Sequence, residues 1–148
     1  MLKITQFIAM VLTAITLVPL GAHLAELPNK IDLAQADYFI AQNVYRGWSL
    51  FGVAMIGAVL ANLVLSVLLR GNRTAAGLVL VNLACLVGAL TIFFAFTYQA
   101  NQATNNWTVI PVDWQSLRLE WELSHAVNAV IAFAGFCSLT WSLLLTRE

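Results

Sequence analysis

Four ionisable side chains carry the chemical promise of this sequence: His23-x-x-Glu26 near its first quarter and Glu122-x-x-His125 near its end. A helix puts residues three apart on one face, so each motif can present a carboxylate and an imidazole together. Two imidazoles and two carboxylates form a ligand set for one divalent transition metal, Zn, Fe, Cu or Mn, with His23, Glu26, Glu122 and His125 as donors. Glu-x-x-His on bundle helices also builds di-metal carboxylate centres, but the further carboxylates these need from other helices are missing. Without a metal, Glu122 or His125 is a general base, since partial desolvation tunes a carboxylate or imidazole toward neutral pH. Arg118 and Arg46 are placed to stabilise an anionic intermediate. The bland reading also stands: helix-end charges in the headgroup region, Glu122 paired with Arg118 or Arg46, and His23 on a backbone carbonyl.

The elements that must position these groups follow from composition. Of 148 residues, 61% are hydrophobic and 9% charged, and the mean hydropathy is +0.83. Soluble domains carry roughly 25% charged residues. Four apolar stretches, 4–22, 48–69, 75–97 and 126–145, are each near the ~20 residues that cross a hydrocarbon layer. Backbone groups in lipid must be satisfied internally, so these predict helices, about 4–27, 45–69, 74–98 and 114–146. The expected fold is all-α, a single transmembrane domain over 1–148, an up-down-up-down four-helix bundle in contact with membrane lipid.

The first stretch lacks a small-x-small cleavage site around Gly21 and Ala22 and is read as a retained helix. Zero net charge gives no electrostatic case for nucleic acid. Cys85 and Cys137 lie inside apolar runs and read as small core residues. Asn62 and Asn82 fall at similar depth from the Arg70-Gly-Asn-Arg73 turn and predict an interhelical hydrogen bond. Trp48, Trp107, Trp114 and Trp121 gather on the other side, as interface anchors first and cavity walls second.

Basic residues divide into Lys3, Arg70, Arg73 and Arg147 on one side and Lys30, Arg46 and Arg118 on the other. Taking the tight Arg70–Arg73 turn as cytoplasmic gives a multi-pass plasma (inner) membrane protein with both termini inside. His23 and Glu26 then leave the apolar layer where Glu122 and His125 enter it, at depths matched within about one 5 Å turn. Arg118, Glu122 and His125 share a stripe of the last helix, and Gln42, Tyr45, Arg46 and Trp48 lie at the same level. A polar chamber at the outer mouth is the expectation.

The segments Ala22-His-Leu-Ala-Glu-Leu-Pro-Asn-Lys30, Tyr45-Arg-Gly-Trp48, Asn105-Asn-Trp-Thr108 and Leu117-Arg-x-x-Trp-Glu-x-Ser-His125 resemble the anthrone oxygenase-like family of small four-helix bacterial membrane proteins. The resemblance implies oxidation of a flat, apolar aromatic that enters from lipid, with His125 matching the histidine near the start of the last helix. Two functions stay open. One is a metal-dependent oxidoreductase or oxygenase acting on a lipophilic small molecule at the outer mouth. The other is a non-catalytic metal- or lipophile-binding membrane protein or accessory subunit, and either fits a homo-oligomer. Transport is weaker, because paired repeats and broken helices are missing.

Overall fold

In a computed structural model, residues 1–146 are described, and every regular element among them is helical. Arg147, counted above among the basic residues, lies outside them. Helix α1 spans Leu2–Lys30, α2 Gln35–Gln42, α3 Phe51–Leu68, α4 Arg73–Ile92, α5 Tyr98–Ala103 and α6 Trp114–Leu144. A 3-10 turn, Trp48–Leu50, leads into α3, and a π turn, Phe93–Thr97, joins α4 to α5. Four helical stretches are long and apolar enough to cross a membrane: Leu2–Lys30, Trp48–Leu68, Arg73–Ala103 and Trp114–Leu144. This is the organisation of a multi-pass membrane protein.

These four stretches pack as a bundle in which α1 touches α3 and α6, and α4 touches the same two. Their outward faces carry Phe7, Val53, Ile56, Leu60, Val130 and Phe133, all exposed and suited to lipid contact. The inward faces form three apolar layers. Ala9, Leu65, Leu69, Ala75, Val79 and Leu139 fill the first, and Leu20, Ala129 and Ala132 the second. Tyr38, Ala100, Trp107 and Trp121 fill the third.

Polar side chains link the helices between the first two layers. Asn82 Nδ2 donates to Asn62 Oδ1 at 2.9 Å, and Asn62 Nδ2 to Thr13 Oγ1 at 3.2 Å. The predicted Asn62–Asn82 hydrogen bond is therefore present. Gly135 lets α6 approach this network, since a Cβ there would lie 2.7 Å from Asn82 Oδ1 and 2.8 Å from Cys85 Cβ. Asn82 cannot yield freely while bonded to Asn62. Gly135→Ala is therefore expected to destabilise the bundle by about 1–3 kcal/mol, the usual cost of overpacking. A detergent-solubilised thermal melt checks this, and an unchanged midpoint would show that α4 and α6 part easily here.

Two features depart from the sequence expectation. Helix α1 continues past Pro28 to Lys30, and the side chain of Lys30 is gripped by groups from the rest of the fold, described below. The segment 28–47, expected as a connection, contains α2, which buries Tyr38 completely. Gly47, with φ of +89°, then redirects the chain into the turn before α3.

Candidate functional site

The last turns of α1 present His23, Glu26 and Lys30 on one face, and the first turns of α6 present Arg118, Trp121, Glu122 and His125. The two motifs do meet. The rings of His23 and His125 lie 4.0 Å apart between centroids, tilted by 30°. His23 also touches Tyr45 at 4.5 Å, Trp121 at 4.8 Å and Trp48 at 5.4 Å. Trp121 lies 4.3 Å from His125. Both imidazoles are buried, and Nδ1 of each lacks a hydrogen-bond partner among the described residues.

The carboxylates form a separate layer. A three-residue step along a helix rises about 4.5 Å, so mirrored motifs bring histidine level with histidine and glutamate level with glutamate. Lys30 bridges the glutamate layer: its Nζ lies 3.1 Å from Glu122 Oε1 and 3.9 Å from Glu26 Oε2. The same Nζ donates to Tyr45 Oη at 2.6 Å, and Tyr45 Oη donates to the Glu26 carboxylate. Tyr38 Oη donates to Glu122 Oε1 at 2.9 Å and accepts from Gln42 Nε2 at 2.6 Å. Glu122 is 1% exposed, whereas the Glu26 side chain is 42% exposed. Glu122 Oε2 has no partner among the described residues.

The two phenols, on the connection outside the apolar helices, are fixed as donors. Burial raises the Tyr38 phenol above its ordinary range, and the Glu122 carboxylate raises it further. Burial likewise raises Tyr45, followed by its bond to Glu26. Both stay protonated at neutral pH.

The arginines stand apart from these acids. Arg118 Nη1 donates to the Leu33 carbonyl at 2.8 Å, and its guanidinium covers the Trp114 and Tyr38 rings at 4.8 and 5.4 Å. Arg46 is exposed and bonds Asn43 Oδ1 at 3.2 Å. The ion-pair partner of Glu122 is thus Lys30. Among the described residues, no three His, Cys, Asp or Glu side chains gather as a metal-ligating group. His23 and His125 come together, while Glu26 and Glu122 turn to Lys30 and the tyrosines.

Aromatic side chains close the site from the connecting segments. Trp107 lies 5.2 Å from Tyr38, 5.6 Å from Phe39 and 6.0 Å from Trp121. It is delivered by three successive left-handed residues, Asn105, Asn106 and Trp107, with φ of 47°, 55° and 63°. Asparagine tolerates this conformation and tryptophan does so at a cost. That cost is offset by burial, by a bond from the Trp107 amide to Thr104 Oγ1 at 3.0 Å, and by the indole bond to Asn101 Oδ1 at 3.1 Å. Asn101 Oδ1 also accepts from Trp121 Nε1 at 2.9 Å. Trp107 and Trp121 are therefore walls of the site.

Sequence reasoning passed over Lys30, Tyr38 and Asn101. Lys30 had a signal, since it follows Glu26 by four residues on the same helical face. Tyr38 and Asn101 had none beyond their polarity within connecting segments. Comparison with family models, curated proteins and solved structures gives no match.

Proposed function

We propose that this chain is a multi-pass protein of the plasma (inner) membrane, with both termini cytoplasmic, whose His/Glu site binds a lipophilic small molecule at the outer mouth of an up-down-up-down bundle. The observation that carries this reading is the buried imidazole pair. Imidazole nitrogens serve as donors or acceptors, and two orphaned Nδ1 atoms on rings 4.0 Å apart inside aromatic walls fit a flat molecule bearing a hydroxyl or carbonyl. Tyr45, Trp48 and Trp121 supply ring faces for its apolar body. His125 or His23 then takes or returns a proton on the polar group of the ligand. The layer of Leu20, Ala129 and Ala132 with Met55 packed against it, and the bond from Gln6 to Thr146, support the alternating helix directions. The Arg70–Arg73 turn supports the orientation.

The metal-free form of this site is the better supported one. A mononuclear centre that activates substrate or oxygen takes about three protein ligands, whereas both carboxylates here are engaged by Lys30, Tyr38 and Tyr45. Oxidoreductase or oxygenase activity would add a redox partner to the same site.

The test uses 1-naphthol as a flat, apolar phenol and follows the tryptophan fluorescence of the purified chain in detergent. Saturable quenching is expected, with the midpoint rising at least about tenfold in His23→Ala and His125→Ala, equivalent to about 1.4 kcal/mol per lost polar contact. Quenching that never saturates, or that ignores both substitutions, overturns the reading. Stoichiometric bound metal lost in both variants would transfer the site to the metal-dependent alternative.

A further inference from the structure

We propose that the surroundings of the Lys30 ammonium form a binding site for an organic ammonium ligand, with Lys30 as its tethered occupant. The inference rests on the reading above only in assigning Glu122 to a ligand site. The Lys30 Nζ lies 4.3 Å from the Tyr45 ring centroid, 4.5 Å from Trp121 and 5.8 Å from Tyr38. All three fall inside the ~6 Å range over which a ring face attracts a cation, and several rings around one cation is how quaternary ammonium groups are recognised. Two carboxylates, Glu122 and Glu26, complete the cage around a single positive charge.

The unsatisfied atoms of this layer point to a donor. Glu122 Oε2 and Gln42 Oε1 are buried without partners among the described residues, at the two ends of the chain of hydrogen bonds that runs from Gln42 through Tyr38 to Glu122. Both are acceptors, so a group bearing several N–H bonds completes them and an anion would not. Lys30 satisfies one Glu122 oxygen and leaves these two free.

Lys30 is also placed to leave. It is the last residue of α1, and its long methylene stem lets the ammonium move from the cage to water without moving the helix. An external ammonium would then meet the same rings, the Tyr45 hydroxyl and both carboxylates.

Propylammonium replaces the atoms removed by Lys30→Ala and is the probe. The full chain in detergent is titrated with propylammonium chloride, with sodium chloride and propanol as controls, while tryptophan fluorescence and the melting midpoint are followed. K30A is expected to bind saturably and gain stability from propylammonium alone. Wild type is expected to give the same response with a midpoint at least about tenfold higher, because its cage is open only part of the time. A folded K30A that does not respond, or responds equally to propanol, overturns the proposal, as does a silent wild type. Should K30A not fold, Lys30→Ser takes its place. Folding of either variant only with propylammonium supports the cage, and failure of propylammonium to restore either overturns it. The naphthol titration reads the histidine layer, so its failure and this one are told apart.

Discussion

Glu122→Ala is expected to lower the stability of the folded chain by about 3–5 kcal/mol, the cost of leaving one member of a buried ion pair behind. Lys30, 5% exposed in the folded chain, would then have only the half-exposed Glu26, 3.9 Å away, as a counter-charge. Tyr38, fully buried, would lose the acceptor for its hydroxyl at the same time. Glu26→Ala should cost no more than about 1 kcal/mol, because a solvated carboxylate contributes little. The two glutamates share a motif spacing but not an energetic role. Replacing both Glu122 and Lys30, by leucine and methionine, should recover most of the loss, since a well-packed apolar pair often matches a buried ion pair. Equilibrium unfolding in mixed detergent measures all four proteins. A Glu122→Ala variant within about 1 kcal/mol of wild type would mean that water reaches the pair and that the glutamate layer is open.

The balance between what the sequence disclosed and what it withheld follows the range of the interactions involved. The helical stretches were legible because lipid leaves the backbone no alternative, and composition alone shows where that condition holds. The meeting of His23 with His125 was legible because helical spacing and depth are local quantities. The further convergence of both carboxylates on that point did not follow, because mirrored motifs stack their like residues in layers about 4.5 Å apart. Recognising Lys30 as the bridge required knowing that α1 runs two residues beyond Pro28, which depends on contacts with α6 and Tyr45. Tyr38 was out of reach for a similar reason: α2 has eight residues, too few to be a stable helix by itself, and exists by packing its tyrosine against Trp107 and Trp114. The left-handed run of Asn105, Asn106 and Trp107 is likewise a tertiary product, although the paired asparagines mark where such a turn is cheapest.

Trp121→Ala is expected to be as costly as the loss of Glu122, about 3–5 kcal/mol for deleting a buried tryptophan, and to disable both layers at once. Trp121 is 4% exposed and stands between the layers, 4.8 and 4.3 Å from the two imidazoles and 4.5 Å from the Lys30 ammonium. Its indole N–H shares Asn101 Oδ1 with Trp107, so its removal also loosens the wall that Trp107 forms. Trp121→Phe separates these contributions. Phenylalanine keeps a ring face for Lys30 and the imidazoles but drops the hydrogen bond, and should cost about 1 kcal/mol on that account, plus a packing loss for the smaller ring. Trp114→Ala provides the contrast, because that residue is half-buried at the rim and its guanidinium neighbour Arg118 retains the Leu33 carbonyl. Its effect should stay below that of Trp121→Ala, and naphthol binding should survive it. Melting midpoints and naphthol titrations on the three variants decide the matter. If Trp114→Ala proves the most damaging and Trp121→Ala still binds naphthol as wild type does, the ligand lies above Trp121, among the connecting segments, and the imidazole pair is a packing element.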